Sequence, residues 1–181
     1  MDISKVMFSK EQIHNKVLEL AGKIQKDYEG EHVFVIGILK GACVFVSDLI
    51  REIDLPITLD FMSVSSYGMS TESSGVVKII KDLDMDITGM NVIIVEDIID
   101  TGLTLNYLRE YLGARHVKSL KICTLLDKPH RRKCDVVADY VGFEIEDKFI
   151  VGYGIDCKEQ YRNLPYISYF GLYLYMHFGL K

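Results

Sequence analysis

The sequence predicts an α/β fold in which helices flank a central, mostly parallel sheet. Apolar runs at residues 33–39, 92–95 and 120–126 have the pattern of strands that are buried on both faces. Apolar residues at helical spacing follow the first two runs, which indicates alternating strands and helices. Each run ends in charged residues. Since ligands of open parallel sheets bind beyond the carboxyl ends of the strands, these charges predict the position of a binding site.

Length and composition limit the class of protein. The chain has 181 residues with 49% hydrophobic and 26% charged content, and we expect one globular domain over residues 1–181. The net charge of −5 disfavours a nucleic-acid-binding protein. The four cysteines lack the spacing of a zinc site or a disulfide framework. Without an apolar leader or a membrane-length apolar run, the sequence predicts a cytoplasmic protein that does not bind membranes.

The first half of the chain begins with an amphipathic helix. Ser9 and Gln12 form a candidate capping box, and apolar residues follow at helical spacing. The strand at 33–39 leads to Lys40 and Gly41, and residues 42–53 predict a second helix. On its own, Lys40 fits a solvated lysine at a turn as well as a ligand-binding one.

Residues 92–105 combine a buried run, the acidic pair Glu96 and Asp97, a short polar loop and a helical pattern. We expect the strand to end at the acidic pair. The unpaired N–H groups at the following helix start favour a phosphate, and the two carboxylates suit ribose hydroxyls or a hydrated Mg²⁺. Asp100, in the turn, could accept a proton. The alternative is an ordinary helix capped by an aspartate.

Residues 95–105, Val-Glu-Asp-Ile-Ile-Asp-Thr-Gly-Leu-Thr-Leu, resemble the phosphoribosyl-pyrophosphate loop of the type I phosphoribosyltransferases, specifically the hypoxanthine (hypoxanthine-guanine) phosphoribosyltransferases. The resemblance implies that Glu96 and Asp97 hold the ribose hydroxyls. It implies that Asp100 accepts a proton from the purine ring. The residues implied to cradle the 5′-phosphate are Thr101, Gly102, Leu103 and Thr104.

Two further segments resemble parts of the same family. Leu39-Lys40-Gly41 is similar to its pyrophosphate-binding tripeptide, in which the peptide bond before the lysine is cis. Ser66 and Tyr67 lie in a small, polar stretch at 65–75 that resembles the family's mobile loop. The resemblance implies a lid that excludes water from the reaction, whereas the composition alone also fits a flexible hairpin.

The last third of the chain carries the residues that the resemblance assigns to the base, the metal and pyrophosphate. Lys128 matches the lysine that donates to the 6-oxo group of the purine. Phe149 matches the aromatic residue that stacks on the purine, and Ile150 matches a residue whose backbone contacts the base. Asp156 matches a Mg²⁺ ligand, and Arg162 an arginine that contacts pyrophosphate. From the residues alone, Phe149 also fits a core position and Arg162 a surface ion pair.

Other features of this region follow from the residues themselves. The basic run 131–133 fits a solvated turn better than a binding patch, and 136–143 and 148–155 fit two adjacent strands. The aromatic segment 166–180 needs to be covered, either within a small hood formed by the terminal segments or by a partner subunit.

The resemblance spans about residues 39 to 165. It implies a type I phosphoribosyltransferase fold and a Mg²⁺-dependent transfer of phosphoribosyl from phosphoribosyl pyrophosphate to N9 of hypoxanthine or guanine, forming IMP or GMP. We also expect a homo-oligomer, a dimer or a tetramer. Two alternatives share parts of the pattern. A non-catalytic regulator would need an extended basic face, and a phospho-receiver would have no use for the Thr-Gly-Leu-Thr loop.

Overall fold

A computed structural model describes residues 5–66 and 77–170, and of Ser66 the backbone only. The strands are β1 (Lys5–Phe8), β2 (Val33–Leu39), β3 (Ile57–Ser66), β4 (Val77–Lys81), β5 (Asn91–Ile99), β6 (Ser119–Asp127), β7 (Tyr140–Glu144), β8 (Ile150–Val151) and β9 (Ile167–Tyr169). The helices are α1 (Lys10–Asp27), α2 (Cys43–Arg51), α3 (Leu103–Gly113) and a 3-10 turn (Pro129–Arg131). Helices thus alternate with strands up to β3, and three consecutive strands, β3, β4 and β5, then precede α3.

The main sheet has six strands in the order β4-β3-β2-β5-β6-β7. All neighbours are parallel except β3 and β4, which are antiparallel. Val33 of β2 is in register with Asn91 of β5, and Asn91 is in register with Ser119 of β6. Because the strands begin at the same level, their carboxyl ends lie along one edge. The predicted mostly parallel sheet is confirmed.

Helices cover both faces of this sheet. On one face α1 and α2 bury apolar side chains against Val33 and Val35, and on the other α3 packs against Phe34 and Ile36. The alternation along β2 explains why the sequence shows an unbroken apolar run. Helix α1 begins with the predicted capping box between Ser9 and Gln12. No helix among the described residues has both the length and the apolar character needed to cross a membrane.

A second, three-stranded sheet has the order β1-β9-β8 and joins residues near both ends of the chain. It forms the small hood that was expected from the terminal segments. The remainder of the aromatic segment, residues 171–180, lies outside the described residues, as do Tyr67 and the stretch 67–76.

The structure corrects two strand predictions. Strand β7 begins only at Tyr140, because the preceding chain runs past α3, where Val136 packs against Gly102. Only Ile150–Val151 of the predicted strand 148–155 is extended, and it pairs with β9 in the second sheet rather than with β7. Directly after it, the chain turns through two glycines with positive φ, Gly152 and Gly154.

Candidate active site

The acidic pair lies within a strand rather than after its end. Strand β5 continues through Glu96 and Asp97 to Ile99, so the prediction that it ends at the pair is wrong. The strand persists because β6 remains beside it, with Glu96 opposite Thr124 and Ile99 opposite Asp127. The pair therefore sits on a rigid element.

Glu96 and Asp97 form an acidic pair in which Asp97 is buried and Glu96 is partly buried. Burial, together with the charge of Asp97, raises the pKa of the Glu96 carboxyl well above its ordinary value, and burial also raises the pKa of Asp97. Asp97 accepts a hydrogen bond from the backbone N–H of Ile98 at 2.9 Å. The buried Oε2 atom of Glu96 has no hydrogen-bond partner among the described residues. A hydroxyl donor or a cation would satisfy that oxygen.

Three chain segments meet beside Asp97. A Cβ atom on Gly41 would lie 1.9 Å from Oδ2 of Asp97, and a Cβ atom on Gly154 would lie 2.2 Å from the carbonyl oxygen of Gly41. Only glycine fits at these two positions, because a side chain would collide with the neighbouring segment. The Leu39–Lys40 peptide bond that leads into Gly41 is cis.

Predicted pyrophosphate and metal residues cluster on this side of the site. Arg162 forms an ion pair with Asp156 at 2.7 Å and donates to the carbonyl of Gly154 at 2.8 Å. Glu159 pairs with Lys40 at 3.1 Å and lies 3.5 Å from Arg162. The buried Nε of Arg162 has no hydrogen-bond partner in the described part of the chain. Arg162 is therefore not a simple surface ion-pair partner.

The loop after β5 forms an open helix start. The N-cap of α3 is Gly102, which has a φ of 80° and makes no side-chain capping hydrogen bond. The alternative of an aspartate-capped helix is thereby excluded, since Asp100 does not cap α3. A Cβ atom on Gly102 would lie 2.5 Å from Val136, so both its backbone angle and its surroundings require glycine. Leu103 begins the helix, and its N–H lies 3.5 Å from the Thr101 hydroxyl.

A cavity of about 240 Å³ adjoins this loop. The predicted residues that line it are Glu96, Asp100, Thr101, Gly102 and Thr104. Its wall is completed by apolar residues of β2, β3, β5 and α3, which are Ile38, Leu39, Val64, Ile98, Ile99 and Leu105. The structure thus brings these predicted residues to a single concave surface, whereas Asp97 and Leu103, which were predicted with them, are not among its lining residues.

Asp100 and Lys128 belong to a chain of ion pairs. Arg131 donates from Nε to Oδ1 of Asp100 at 2.9 Å and from Nη1 to Oδ2 of Asp147 at 3.2 Å. Lys128 donates to the other Asp147 oxygen, also at 3.2 Å. The side chain of Lys128 is only 8% exposed. The series of ion pairs runs from Asp100 to Arg131, from Arg131 to Asp147, and from Asp147 to Lys128.

Arg132 ties two loops together from within the protein. Its Nη1 donates to the backbone carbonyls of Ile99 at 3.0 Å and of Asp100 at 2.6 Å, and its Nη2 pairs with the carboxylate of Asp127. The loop after β5 is therefore fixed to the loop after β6. The interpretation of 131–133 as a solvated turn is wrong for Arg132, which is mostly buried.

Phe149 and Ile150 lie at the hood. The ring of Phe149 lies 5.8 Å from that of Phe170, and Ile150 is buried at the start of β8. Ser66 is the last residue of β3, so the predicted lid begins where the described part of that strand ends. Sequence reasoning missed Asp147, Arg131 and Arg132. The only signal was the basic run 131–133, which begins three residues after Lys128.

We expect the substitution Arg132→Gln to lower the free energy of unfolding by about 3–5 kcal/mol, since it leaves the buried carboxylate of Asp127 without its partner. Urea unfolding followed by circular dichroism measures this. The matched control is Arg51→Gln, which removes an exposed pair with Asp48 and should cost at most about 1 kcal/mol. Equal losses in the two variants would contradict the role of Arg132.

A second and larger cavity of about 550 Å³ lies away from the β5 loop. Residues of α1, α2 and the 162–165 stretch line it, including Val17, Val44 and Leu164, together with Tyr153. The hydroxyl of Tyr153 donates to Asp48 at 2.6 Å in its wall. Of the predicted site residues that the structure describes, Arg162 alone lines this cavity.

An acidic pair and an open helix start at the carboxyl edge of a parallel sheet are typical of α/β proteins that bind phosphate-bearing ligands. A model of the phosphoribosyl transferase domain matches residues 9–158. The chain therefore belongs to the phosphoribosyltransferase family.

Similar proteins agree with this assignment. The chain is 57% identical over 167 residues to a hypoxanthine-guanine phosphoribosyltransferase of Bacillus subtilis, which covers 92% of this chain and 93% of that protein. A hypoxanthine-guanine phosphoribosyltransferase of Staphylococcus aureus is 52% identical over 167 residues, and this match covers 92% of this chain and 93% of that protein.

Solved structures show the same fold. A hypoxanthine-guanine phosphoribosyltransferase from Bacillus anthracis with a HEPES molecule in its active site matches with a TM-score of 0.91 and 56% identity, over 94% of this chain and all of that one. A hypoxanthine phosphoribosyltransferase from Staphylococcus aureus matches with a TM-score of 0.92 and 50% identity, over 95% and 94% of the chains. The expected type I phosphoribosyltransferase fold is confirmed.

Proposed function

We propose that this protein is a purine salvage enzyme that transfers the phosphoribosyl group of phosphoribosyl pyrophosphate to N9 of hypoxanthine or guanine. The products are IMP or GMP and pyrophosphate. The observation that carries the proposal is the placement of Asp100 between the open start of α3 and the nearly buried ammonium of Lys128. A helix start that would bind phosphate and a lysine that would read the base thus lie on either side of one potential proton acceptor.

The ribose phosphate would bind at the β5 loop. The backbone N–H groups at the start of α3 offer donors to the 5′-phosphate, and the helix dipole favours its negative charge. The phosphate cradle consists of Thr101, Gly102, Leu103 and Thr104. Glu96 and Asp97 would accept hydrogen bonds from the ribose hydroxyls, which supply the donors that the buried Oε2 of Glu96 lacks.

Mg²⁺ fits the oxygen ligands of this site. The carboxylates that would hold it are Asp156, Glu96 and Asp97. No group of three or more side chains among the described residues forms a ready-made metal cage. In proteins Mg²⁺ usually binds through one or two carboxylates while it keeps waters and substrate phosphates. When bound, the ion would neutralise the negative charge of the pyrophosphate leaving group.

Pyrophosphate would occupy the side of the site where the 39–41, 96–97 and 154–162 segments meet. The Gly41 backbone approaches closely there because no side chain intervenes. Arg162 would offer its guanidinium to the pyrophosphate, and its buried Nε would gain a partner. Lys40 would exchange its exposed contact with Glu159 for pyrophosphate. Ser66 and Tyr67 belong to the proposed lid.

The base would lie between Lys128 and the hood. The Lys128 ammonium, which can donate but not accept, would pair with the 6-oxo group and would disfavour the 6-amino group of adenine. Phe149 would stack on the purine, and the Ile150 backbone would contact its edge. During the transfer, the bond from C1′ to the pyrophosphate oxygen breaks and the bond from N9 to C1′ forms. Asp100 takes the proton that the purine ring releases.

The test is to incubate the protein with Mg²⁺, phosphoribosyl pyrophosphate and one base at a time, and to identify nucleotides by mass spectrometry. We expect IMP from hypoxanthine, GMP from guanine and no AMP from adenine. An absence of nucleotide from both oxopurines would disprove the proposed function.

A second prediction concerns the choice of base. Lys128→Met should lower kcat/KM for hypoxanthine by about 10- to 150-fold, because it removes one charged hydrogen bond worth about 1.5–3 kcal/mol. Lys118→Met is the matched control, since Lys118 is exposed and pairs with Glu31 next to the amino end of β6. If kcat/KM fell equally in both variants, Lys128 would not be the reader of the base.

We further propose that the chain forms one domain over residues 1–181, works in the cytoplasm and assembles as a dimer or a tetramer. The aromatic residues of the 166–180 segment support the assembly, because their apolar bulk favours a protein contact. Light scattering coupled to size-exclusion chromatography measures the mass, and a monomer at micromolar concentration would contradict the assembly.

A further inference from the structure

We propose that Arg131 is a positioning residue for this reaction, which orients the Asp100 carboxylate and couples it through Asp147 to Lys128. The inference rests on the proposed function, since Asp100 and Lys128 have these roles only if the base is an oxopurine. In the proposed function neither Arg131 nor Asp147 contacts the base, and their role here is to orient the two residues that do.

Arg131 reaches both carboxylates because its guanidinium is forked. Its Nε donates a hydrogen bond to Asp100 at 2.9 Å, and its Nη1 donates one to Asp147 at 3.2 Å. The backbone fixes the origin of this side chain, since the N–H of Arg131 donates to the carbonyl of Lys128 at 3.0 Å in the 3-10 turn. The turn that follows Lys128 therefore presents a cation toward Asp100.

The pairing leaves Asp100 ready for its partner. A carboxylate has two oxygens, and Arg131 holds Oδ1. Oδ2 then remains for the proton of the purine ring. Without Arg131, the half-exposed Asp100 side chain would be free to rotate, and part of the population would point its oxygens away from the base. Orientation of a reacting group contributes directly to the rate.

Asp147 connects Arg131 to Lys128 and so fixes the direction of the Lys128 side chain as well. Its two oxygens are shared, Oδ1 with Lys128 and Oδ2 with Arg131. The ammonium of Lys128 is nearly buried, so its direction depends on the carboxylate beside it. Through one chain of contacts, the proton acceptor and the reader of the 6-oxo group keep a constant separation. That separation has to match the N7 and O6 edge of one purine.

The test uses steady-state kinetics with hypoxanthine for Arg131→Ala, Arg131→Lys, Asp147→Asn and the double variant Arg131→Ala with Asp147→Asn. We expect each single variant to lower kcat by about 3- to 10-fold while KM for phosphoribosyl pyrophosphate stays within about 2-fold. Lysine should not fully rescue Arg131, since its flexible ammonium lacks the planar fork that holds both carboxylates in fixed directions. The double variant should lose less than the product of the two single losses.

The matched control is Glu146→Gln. Glu146 is adjacent to Asp147 in sequence but is 82% exposed and pairs with Lys148, so its removal should leave kcat unchanged. Urea midpoints equal to that of the wild type within about 0.5 M would show that the variants fold normally.

Three results would overturn the inference: a wild-type kcat in Arg131→Ala, full rescue by lysine, or a lower KM for hypoxanthine in Arg131→Ala, which would mean that Arg131 competes with the base. A wild-type protein without nucleotide synthesis would instead overturn the proposed function. The two failures are thereby distinguished.

Discussion

Replacing Asp100 by asparagine is expected to lower kcat for nucleotide synthesis by about 10²- to 10⁴-fold, the range of general acid–base catalysis. Asparagine has the same size and its amide oxygen can still accept the hydrogen bond from Arg131. It cannot take up the proton that the purine ring releases. Steady-state assays with hypoxanthine and saturating phosphoribosyl pyrophosphate measure the change.

A measurement of nucleotide binding distinguishes a variant that has lost only the proton transfer from one whose binding site is damaged. The dissociation constant of IMP, measured by calorimetry, should change by less than about 10-fold in Asp100→Asn. The reason is that one hydrogen bond contributes about 1 kcal/mol to the free energy of binding. Asp84→Asn is a suitable control, because Asp84 is exposed and pairs with Lys81 away from the β5 loop. A wild-type kcat in Asp100→Asn would remove Asp100 as the proton acceptor.

The substitution Gly41→Ala is expected to lower kcat/KM by at least about 10²-fold, because displacement of reacting groups by about 1 Å has that effect. The new Cβ atom would lie 1.9 Å from Oδ2 of Asp97, so the 39–41 segment and β5 have to separate. Overpacking of this kind costs about 1–3 kcal/mol of stability. Kinetics with both substrates and a urea titration measure the two effects.

Gly22→Ala provides the matched control. Gly22 lies within α1, and a Cβ atom there meets no other atom within 4 Å. The substitution should stabilise the protein by about 0.5–1 kcal/mol and leave kcat/KM unchanged. Wild-type kcat/KM in Gly41→Ala would contradict the close approach of these segments as a requirement for activity.

The parts of the fold that could be predicted from sequence are those with local causes. The capping box of Ser9 and Gln12 starts α1, and the apolar run of β2 predicts both its length and its burial. Residues 148–155 show where this reasoning fails. Their apolar pattern fits a strand, but pairing with β9 limits the strand to Ile150–Val151. No local pattern reports a partner that lies further along the chain.

The candidate site divides in the same way. Charges that follow buried strands predict which residues reach the carboxyl edge, and Asp100, Lys40 and Lys128 all lie there. The contacts of Arg131 and Arg132 join loops that are distant in sequence, and a basic run has the composition of a solvated turn. The contact of Gly41 with Asp97 likewise depends on the packing of β2 against β5. Such contacts require the tertiary structure.

Residues 96–104 and Lys128 are expected to form the two halves of one nucleotide site. A crystal structure with IMP and Mg²⁺ would test this arrangement. We expect the 5′-phosphate within about 3.2 Å of the backbone nitrogens of residues 101–104, and O6 within the same distance of the Lys128 ammonium. IMP bound instead in the 550 Å³ cavity beside α1 and α2, with the β5 loop uncontacted, would contradict it.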